Sequence, residues 1–304
     1  MNKLIGTFLM TATLFGGVYN LKPIKITKDI TCVIGDFNPP KKENLGFVSN
    51  MCYVNMGKNL VVLDAGPTYE FAKEFYALMQ KEYPNKKVSA VVLSNFHDDR
   101  ILGASFFKEK GAKIIAYKNI NDDIKTYKSK FDRIKKIVPA KIYKNTKLIL
   151  ADTLVENGYK IKGSKKTLEI IKPSKISEEK SDIVIYSPED SFLFVGNIVF
   201  TNRMLNYRKE SDVDGWIKAL EKIKSLNAKY VFPGHGDNYS KESYKTTLDY
   251  LKIVKKDVEQ AVKNDIDEID LVKSVHTEKF KNLNYFKQLN YLAIHNYYDQ
   301  LQWR

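Results

Sequence analysis

A chain of 304 residues with 43% hydrophobic and 12% aromatic content, including 19 Tyr and 16 Phe, can close a substantial core and excludes a disordered or low-complexity protein. The charge is lopsided, 50 Lys plus Arg against 36 Asp plus Glu, a formal +14. Only five of the 50 are Arg, at 100, 133, 203, 208 and 304, and the lysines are spread without a dense block, so a solvated Lys-rich surface is expected and nucleic-acid binding is not.

Lys3 precedes a charge-free apolar run from Leu4 to Val18, and polar sequence begins at Asn20. That run is short for a membrane span and suits the core of an export signal over residues 1–20. Gly16-Gly17-Val18 before bulky Tyr19 makes a poor cleavage site, which leaves an uncleaved anchor and loose membrane association open. The expected location is therefore exported: periplasmic, or membrane-anchored by the uncleaved signal. Cys32 and Cys52 sit in neighbouring strand-like segments. They are either one disulfide of an exported protein or two small buried hydrophobes.

Asn59 to Asp64 reads as a buried strand closed by the turn Ala65-Gly66-Pro67. Tyr69 to Glu82 follows as a helix, with Phe71, Phe75, Leu78 and Met79 near the helical period. Val88 to Leu93 is a second buried strand, and Ser94 to Arg100 is the loop past its carboxyl end. A short helix from Gly103 to Lys110 and a strand from Ala112 to Tyr117 complete a strand–helix alternation that argues α/β. Asn119 to Lys136 is a charged helical excursion, and strands resume from Leu168, with 182–186 and 192–195 flanking hairpin chemistry. Val213 to Leu226 is an amphipathic helix and Lys229 to Phe232 a strand ending in Pro233-Gly234-His235-Gly236. From Ser240 the chain reads as helices. The expected organisation is one domain over 21–240, with helices over 241–304 packed on it.

The four His carry information by position. His97 and His235 fall directly after buried strands, where α/β folds present side chains into a shared crevice. His276 and His295 fall within helical sequence, where packing or surface roles are expected.

Asp64-Ala65-Gly66, the Asn95-Phe96-His97-Asp98-Asp99-Arg100 loop, Phe194-Val195-Gly196-Asn197 and Val231 to Gly236 stand in the order and spacing that resemble the metallo-β-lactamase superfamily. The resemblance covers nearly all of residues 24 to 304, and the C-terminal helices are similar to those of periplasmic quinoprotein relay system zinc metallohydrolases. It implies a four-layer αββα sandwich with a C-terminal helical extension. It also implies a zinc site in which a His-x-His-x-Asp-His loop and downstream ligands hold two cations around a nucleophilic hydroxide.

Carried over residue by residue, the resemblance keeps His97, Asp99 and His235 as metal ligands, with Asp99 and His97 as the catalytic candidates. Asn95 and Arg100 replace the first and last His of the loop, Glu178 stands where a mid-chain His is expected, and Asn197 replaces the bridging Asp or Cys. A neutral amide does not bridge two cations as a carboxylate does. Asn-x-His-x-Asp-Arg also resembles the loop of single-zinc carbapenem-hydrolysing lactamases, and such a site here needs His97 or Glu178 as its third ligand. In this family Asp64 orients the loop and is not a ligand. Arg100 is expected to pair with Asp99 or Glu178, and Asp98 to be a solvated loop charge.

The resulting expectation is an exported protein of this fold with an incomplete zinc site, an impaired relative of the hydrolases, with a small molecule in its crevice. The alternative is a working hydrolase of an amide, ester or thioester bond, using water on one Zn.

Overall fold

The structure, a computed structural model, describes residues 17–302. Most of the expected export signal, residues 1–16, lies outside them. Among the described residues no helix is long and apolar enough to cross a membrane.

Strands β1 (Pro23–Thr27), β2 (Ile30–Val33), β3 (Met51–Asn55) and β4 (Leu60–Leu63) form an antiparallel meander. Helix α1 (Tyr69–Glu82) then returns the chain to β5 (Val88–Leu93), parallel to β4. Helices α2 (Asp98–Ile101) and α3 (Ala104–Glu109) lead to β6 (Lys113–Tyr117). The charged excursion holds α4 (Ile120–Thr126), α5 (Asp132–Ile137) and α6 (Ala140–Tyr143), and β7 (Thr153–Val155) completes a seven-stranded sheet. The second sheet has five strands, β8 (Tyr159–Lys162), β9 (Thr167–Ile171), β10 (Val184–Ser187), β11 (Phe192–Phe194) and, after α7 (Val213–Leu226), β12 (Tyr230–Phe232). Helices α8 (Lys245–Lys263), α9 (Glu268–Ser274) and α10 (Phe286–Gln302) follow.

Alternating side chains sort into three apolar layers. Between the sheets, Cys52, Val54, Leu63 and Val92 face Ile170, Ile185, Phe194 and Phe232. On the outer face of the first sheet, Phe71, Phe75 and Met79 of α1 and Phe107 of α3 pack on Tyr53, Val62 and Val91. On the outer face of the second, Trp216 and Leu220 of α7, Leu251 of α8 and Tyr297 of α10 cover Val184 and Leu193. Helix, sheet, sheet, helix is the expected four-layer order. Each fully buried large apolar side chain contributes about 1.5–3 kcal/mol.

The helices start where their caps permit. Thr68 accepts a hydrogen bond from the Phe71 amide at the start of α1, and Asp212 accepts from the Asp214 and Gly215 amides at the start of α7. Helix α7 stops at Asn227, which adopts φ 52°.

Cys32 and Cys52 lie directly opposite each other in the β2–β3 register and form a disulfide, which resolves the open alternative. Four expectations change. The first half of the 182–186 segment is irregular, with β10 beginning at Val184, and β7 and β8 precede the first strand expected after the excursion. The Ser94–Arg100 loop ends in the helical turn α2, and His276 lies past the end of α9, where its Nδ1 meets Asp257.

The carboxyl ends of β4, β5, β11 and β12 gather on one side, and Trp216 braces the segment after β11. It is fully buried, donates from Nε1 to Ile198 O at 2.9 Å, and stacks on Tyr207. Trp216→Ala is expected to cost about 3–5 kcal/mol, read as a lower midpoint in urea unfolding. A near-wild-type midpoint would show that this brace carries little of the load.

Candidate functional site

Asp64 follows β4 at φ 60°, a left-handed conformation that Asp tolerates better than most residues. Its carboxylate accepts from Ser94 N and Ser94 Oγ, each at 2.7 Å, which ties the end of β4 to the end of β5. It also accepts from Arg100 Nη1 at 2.6 Å. Arg100 is 0% exposed, and its other donors reach across to the second sheet. Nε donates to Asn197 Oδ1 at 2.9 Å, and Nη2 donates to the same oxygen and to Gly234 O at 3.0 Å. The Arg100 partner is therefore Asp64, not Asp99 or Glu178. The sequence separation of Asp64 from the loop hid this.

This network fixes the protonation of His97. A guanidinium has only donors, so the Asn197 oxygen faces Arg100 and its amide nitrogen faces His97. Asn197 Nδ2 donates to His97 Nδ1 at 2.7 Å, so that nitrogen is the acceptor and the proton sits on Nε2. His97 Nε2 then donates to Glu179 Oε1 at 3.1 Å. Burial, followed by the charge of Arg208, holds the His97 pKa well below its ordinary value, so the ring is neutral with both nitrogens engaged.

The flanking residues lock the loop. Asn95 accepts from the His97 amide and donates to Asp182 Oδ1. The other Asp182 oxygen accepts from Ser177 Oγ and the Glu179 amide. Asp98 is buried and takes the fork of Arg133 on its two oxygens, so it is not a solvated charge. Glu178 accepts from Arg208 Nε at 3.3 Å, while its Oε2 is buried without a hydrogen-bond partner. The acidic side chain that meets His97 is Glu179, next to the Glu178 that the resemblance sets at the mid-chain His position.

His235 stands across the crevice, stacked on Phe200 and neutral, because burial and then Arg203 push its pKa well down. Its Nδ1 donates to Val48 O at 2.7 Å, which leaves the Nε2 lone pair toward Asp99 Oδ2, 4.0 Å away. Burial raises the Asp99 pKa, but Arg100 and its neighbours outweigh that and the net shift is downward, so Asp99 is a carboxylate. Arg203 Nη1 approaches the same Nδ1 at 3.0 Å, where the proton is already committed, and Arg203 Nε is buried without a partner.

These donors do not fit a zinc ion. Among the described residues no group of three His, Cys, Asp or Glu side chains is arranged to hold a metal. His97 offers no free lone pair, Glu178 faces Arg208, Asn197 is committed to Arg100 and His97, and Asp99 with His235 makes only a pair.

Of the sequence candidates, His97, Asp99, Asn95, Arg100, Asn197, Asp64, Glu178 and His235 all lie at this one end of the sandwich. Sequence reasoning missed Glu179, Asp182, Arg133, Arg203 and Arg208. One signal was available: four of the five Arg in the chain gather here, while the lysines are dispersed.

A family model of the metallo-beta-lactamase superfamily matches residues 45–235, and the chain belongs to that superfamily. It is 26% identical over 209 residues to the metallo-beta-lactamase type 2 of Elizabethkingia meningoseptica, covering 67% of this chain and 76% of that protein. It is 27% identical over 208 residues to the type 2 enzyme of Bacillus sp. (strain 170), covering 67% and 73%. Among solved structures, the metallo-beta-lactamase from Pontibacter korlensis aligns with a TM-score of 0.62 at 18% identity, covering 76% of this chain and 99% of that one. IND-7 aligns at 0.61 with 20% identity, covering 77% and 99%. At these identities the structural likeness speaks for the fold.

Two outcomes follow from the electrostatics. Arg100→Met leaves the Asp64 carboxylate buried without its cation and is expected to cost about 3–5 kcal/mol. Denaturant unfolding of Arg100→Met, Asp64→Asn and their double variant measures the coupling, and strictly additive losses would contradict the ion pair. Burial raises the pKa of Glu178 to about 7 and, together with the neighbouring Glu178, that of Glu179 to about 9. Both lie above the unfolded value of about 4.3, so between those limits the folded state holds more protons than the unfolded state. Below about 6.5 the buried neutral His97 and His235 oppose this, because they gain protons only on unfolding. The melting temperature is therefore expected to fall as pH rises from about 7 to about 9, and Glu179→Gln to flatten that fall.

Proposed function

We propose that this protein is an exported member of the superfamily whose crevice is organised by arginine instead of zinc, with hydrolysis by metal-activated water impaired. One observation carries the reading: the relay from Arg100 through Asn197 to His97 and Glu179 occupies both His97 nitrogens. A histidine with both nitrogens engaged does not ligate metal without dismantling its partners, and Arg100 would stand as a fixed positive charge beside any incoming cation. The disulfide supports export, because such bonds persist in oxidising compartments. The apolar run before Tyr19 supports it too, with the periplasm or an uncleaved membrane anchor as destination.

The single-zinc hydrolase draws support from one feature. His235 Nε2 presents its lone pair toward the Asp99 carboxylate, the beginning of a site that lacks a third protein ligand.

Metal analysis decides between them. Protein from zinc-replete culture, after exhaustive buffer exchange, is expected to carry substoichiometric zinc and to leave a chromogenic cephalosporin intact. One tightly held zinc per chain, lost in Asp99→Ala and in His235→Ala, would overturn the proposal.

A further inference from the structure

Beside the relay, on the side of the helical excursion, lies a cavity of about 440 Å³, a volume that suits a small molecule. Phe96 and Ile137 give it an apolar wall, and Lys130, Arg133, Lys136 and Arg208 give it four cations. Asp98 is the only acidic residue among those lining it, and both its oxygens are taken by Arg133.

Of the other three cations, Lys130 is the one left short of an acceptor. Lys130 Nζ is buried and has no hydrogen-bond partner; its nearest ion-pair oxygen, on Glu179, is 4.0 Å away. It rests instead over the Tyr127 ring, 4.0 Å from the centroid, and 5.4 Å from that of Phe96. Arg208 Nε donates to Glu178 Oε1 at 3.3 Å and lies 3.7 Å from Glu179 Oε1, and Lys136 is exposed. A buried ammonium without an acceptor is costly, and a ligand oxygen would relieve that cost. The Phe96 and Tyr127 rings are stacked on each other, centroids 5.4 Å apart, so the aromatic wall is held in place.

We propose that this cavity binds a small organic anion. Its carboxylate or phosphate monoester group is met by Lys130, Lys136 and Arg208, and its aromatic or apolar body lies against Phe96. His97 borders this cavity, while Asp99 and His235 are not among the residues lining it.

The test is a fluorescence titration of the full-length protein at low salt with EDTA present, so that its outcome is independent of zinc. The probes are 2-naphthoate, 2-naphthyl phosphate and the neutral 2-naphthalenemethanol. At least one anion is expected to bind saturably, the alcohol at least about tenfold more weakly, and salt to loosen the anions. The tighter of the two anions identifies the acidic group. Lys130→Gln/Lys136→Gln is expected to weaken anion binding by about tenfold, with a thermal melt no lower than that of the unaltered protein. The proposal is overturned if neither anion saturates, if the alcohol binds as tightly as the anions, or if a normally folded double variant binds them undiminished.

Discussion

Everything at the crevice depends on where the Arg100 guanidinium points. It is fully buried, carries five donors and no acceptor, and meets a carboxylate on one side and two carbonyl oxygens on the other. Asp64 belongs to the first sheet, while Asn197 and Gly234 follow strands of the second. One cation thus joins the ends of both sheets. Removing such a charge from water is expensive, and only an arrangement that satisfies its donors offsets the cost. The backbone makes room for it. A Cβ on Gly234 would run into the Gly196 carbonyl and lie 2.5 Å from Arg100 Nη2, so that position excludes a side chain.

The same constraint propagates outward as a choice of tautomer. Because arginine only donates, the Asn197 amide has one acceptable orientation, His97 one acceptable proton position, and Glu179 the role of acceptor. A carboxylate or thiolate at position 197 would have accepted from Arg100 and left His97 Nδ1 free. The neutral amide, acceptor at one end and donor at the other, closes the chain instead. A single replacement within the family's ligand set therefore changes the chemistry of its neighbours, and His97 is kept in sequence while its lone pair is spent on a hydrogen bond.

The strands and helices that bury continuous apolar runs, β4, β5, α1 and α7, were legible almost to the residue, because hydrophobic periodicity and caps act locally. Strand β8, Tyr-Lys-Ile-Lys, was not, since it is largely exposed at the edge of its sheet and its residues lack an apolar signature. At the site, His97, Asp99 and His235 were legible as residues at strand ends. Their partners were not, because Glu179, Arg203 and Arg208 reach them from segments far along the chain, and pairing between charged side chains leaves no periodic trace. The identity of the cation was the missed clue: a chain that otherwise uses lysine spends its few arginines where planar forks are needed.

That distribution also says what the crevice has retained. In the family pattern, zinc supplies a concentrated positive charge at the strand ends. Here Arg100, Arg203, Arg208 and Arg133 place positive charge in the same region, divided among groups that neither exchange nor activate water. Part of it is neutralised internally, by Asp64 on Arg100 and Asp98 on Arg133. Part is not, since Arg203 keeps a buried N–H without a partner and Lys130 a buried ammonium. An interior that leaves cations short of acceptors is under an electrostatic load that an anion relieves and a second cation aggravates. What this end of the sandwich presents is thus positive charge on arginine and lysine side chains, fixed by the network that begins at Arg100.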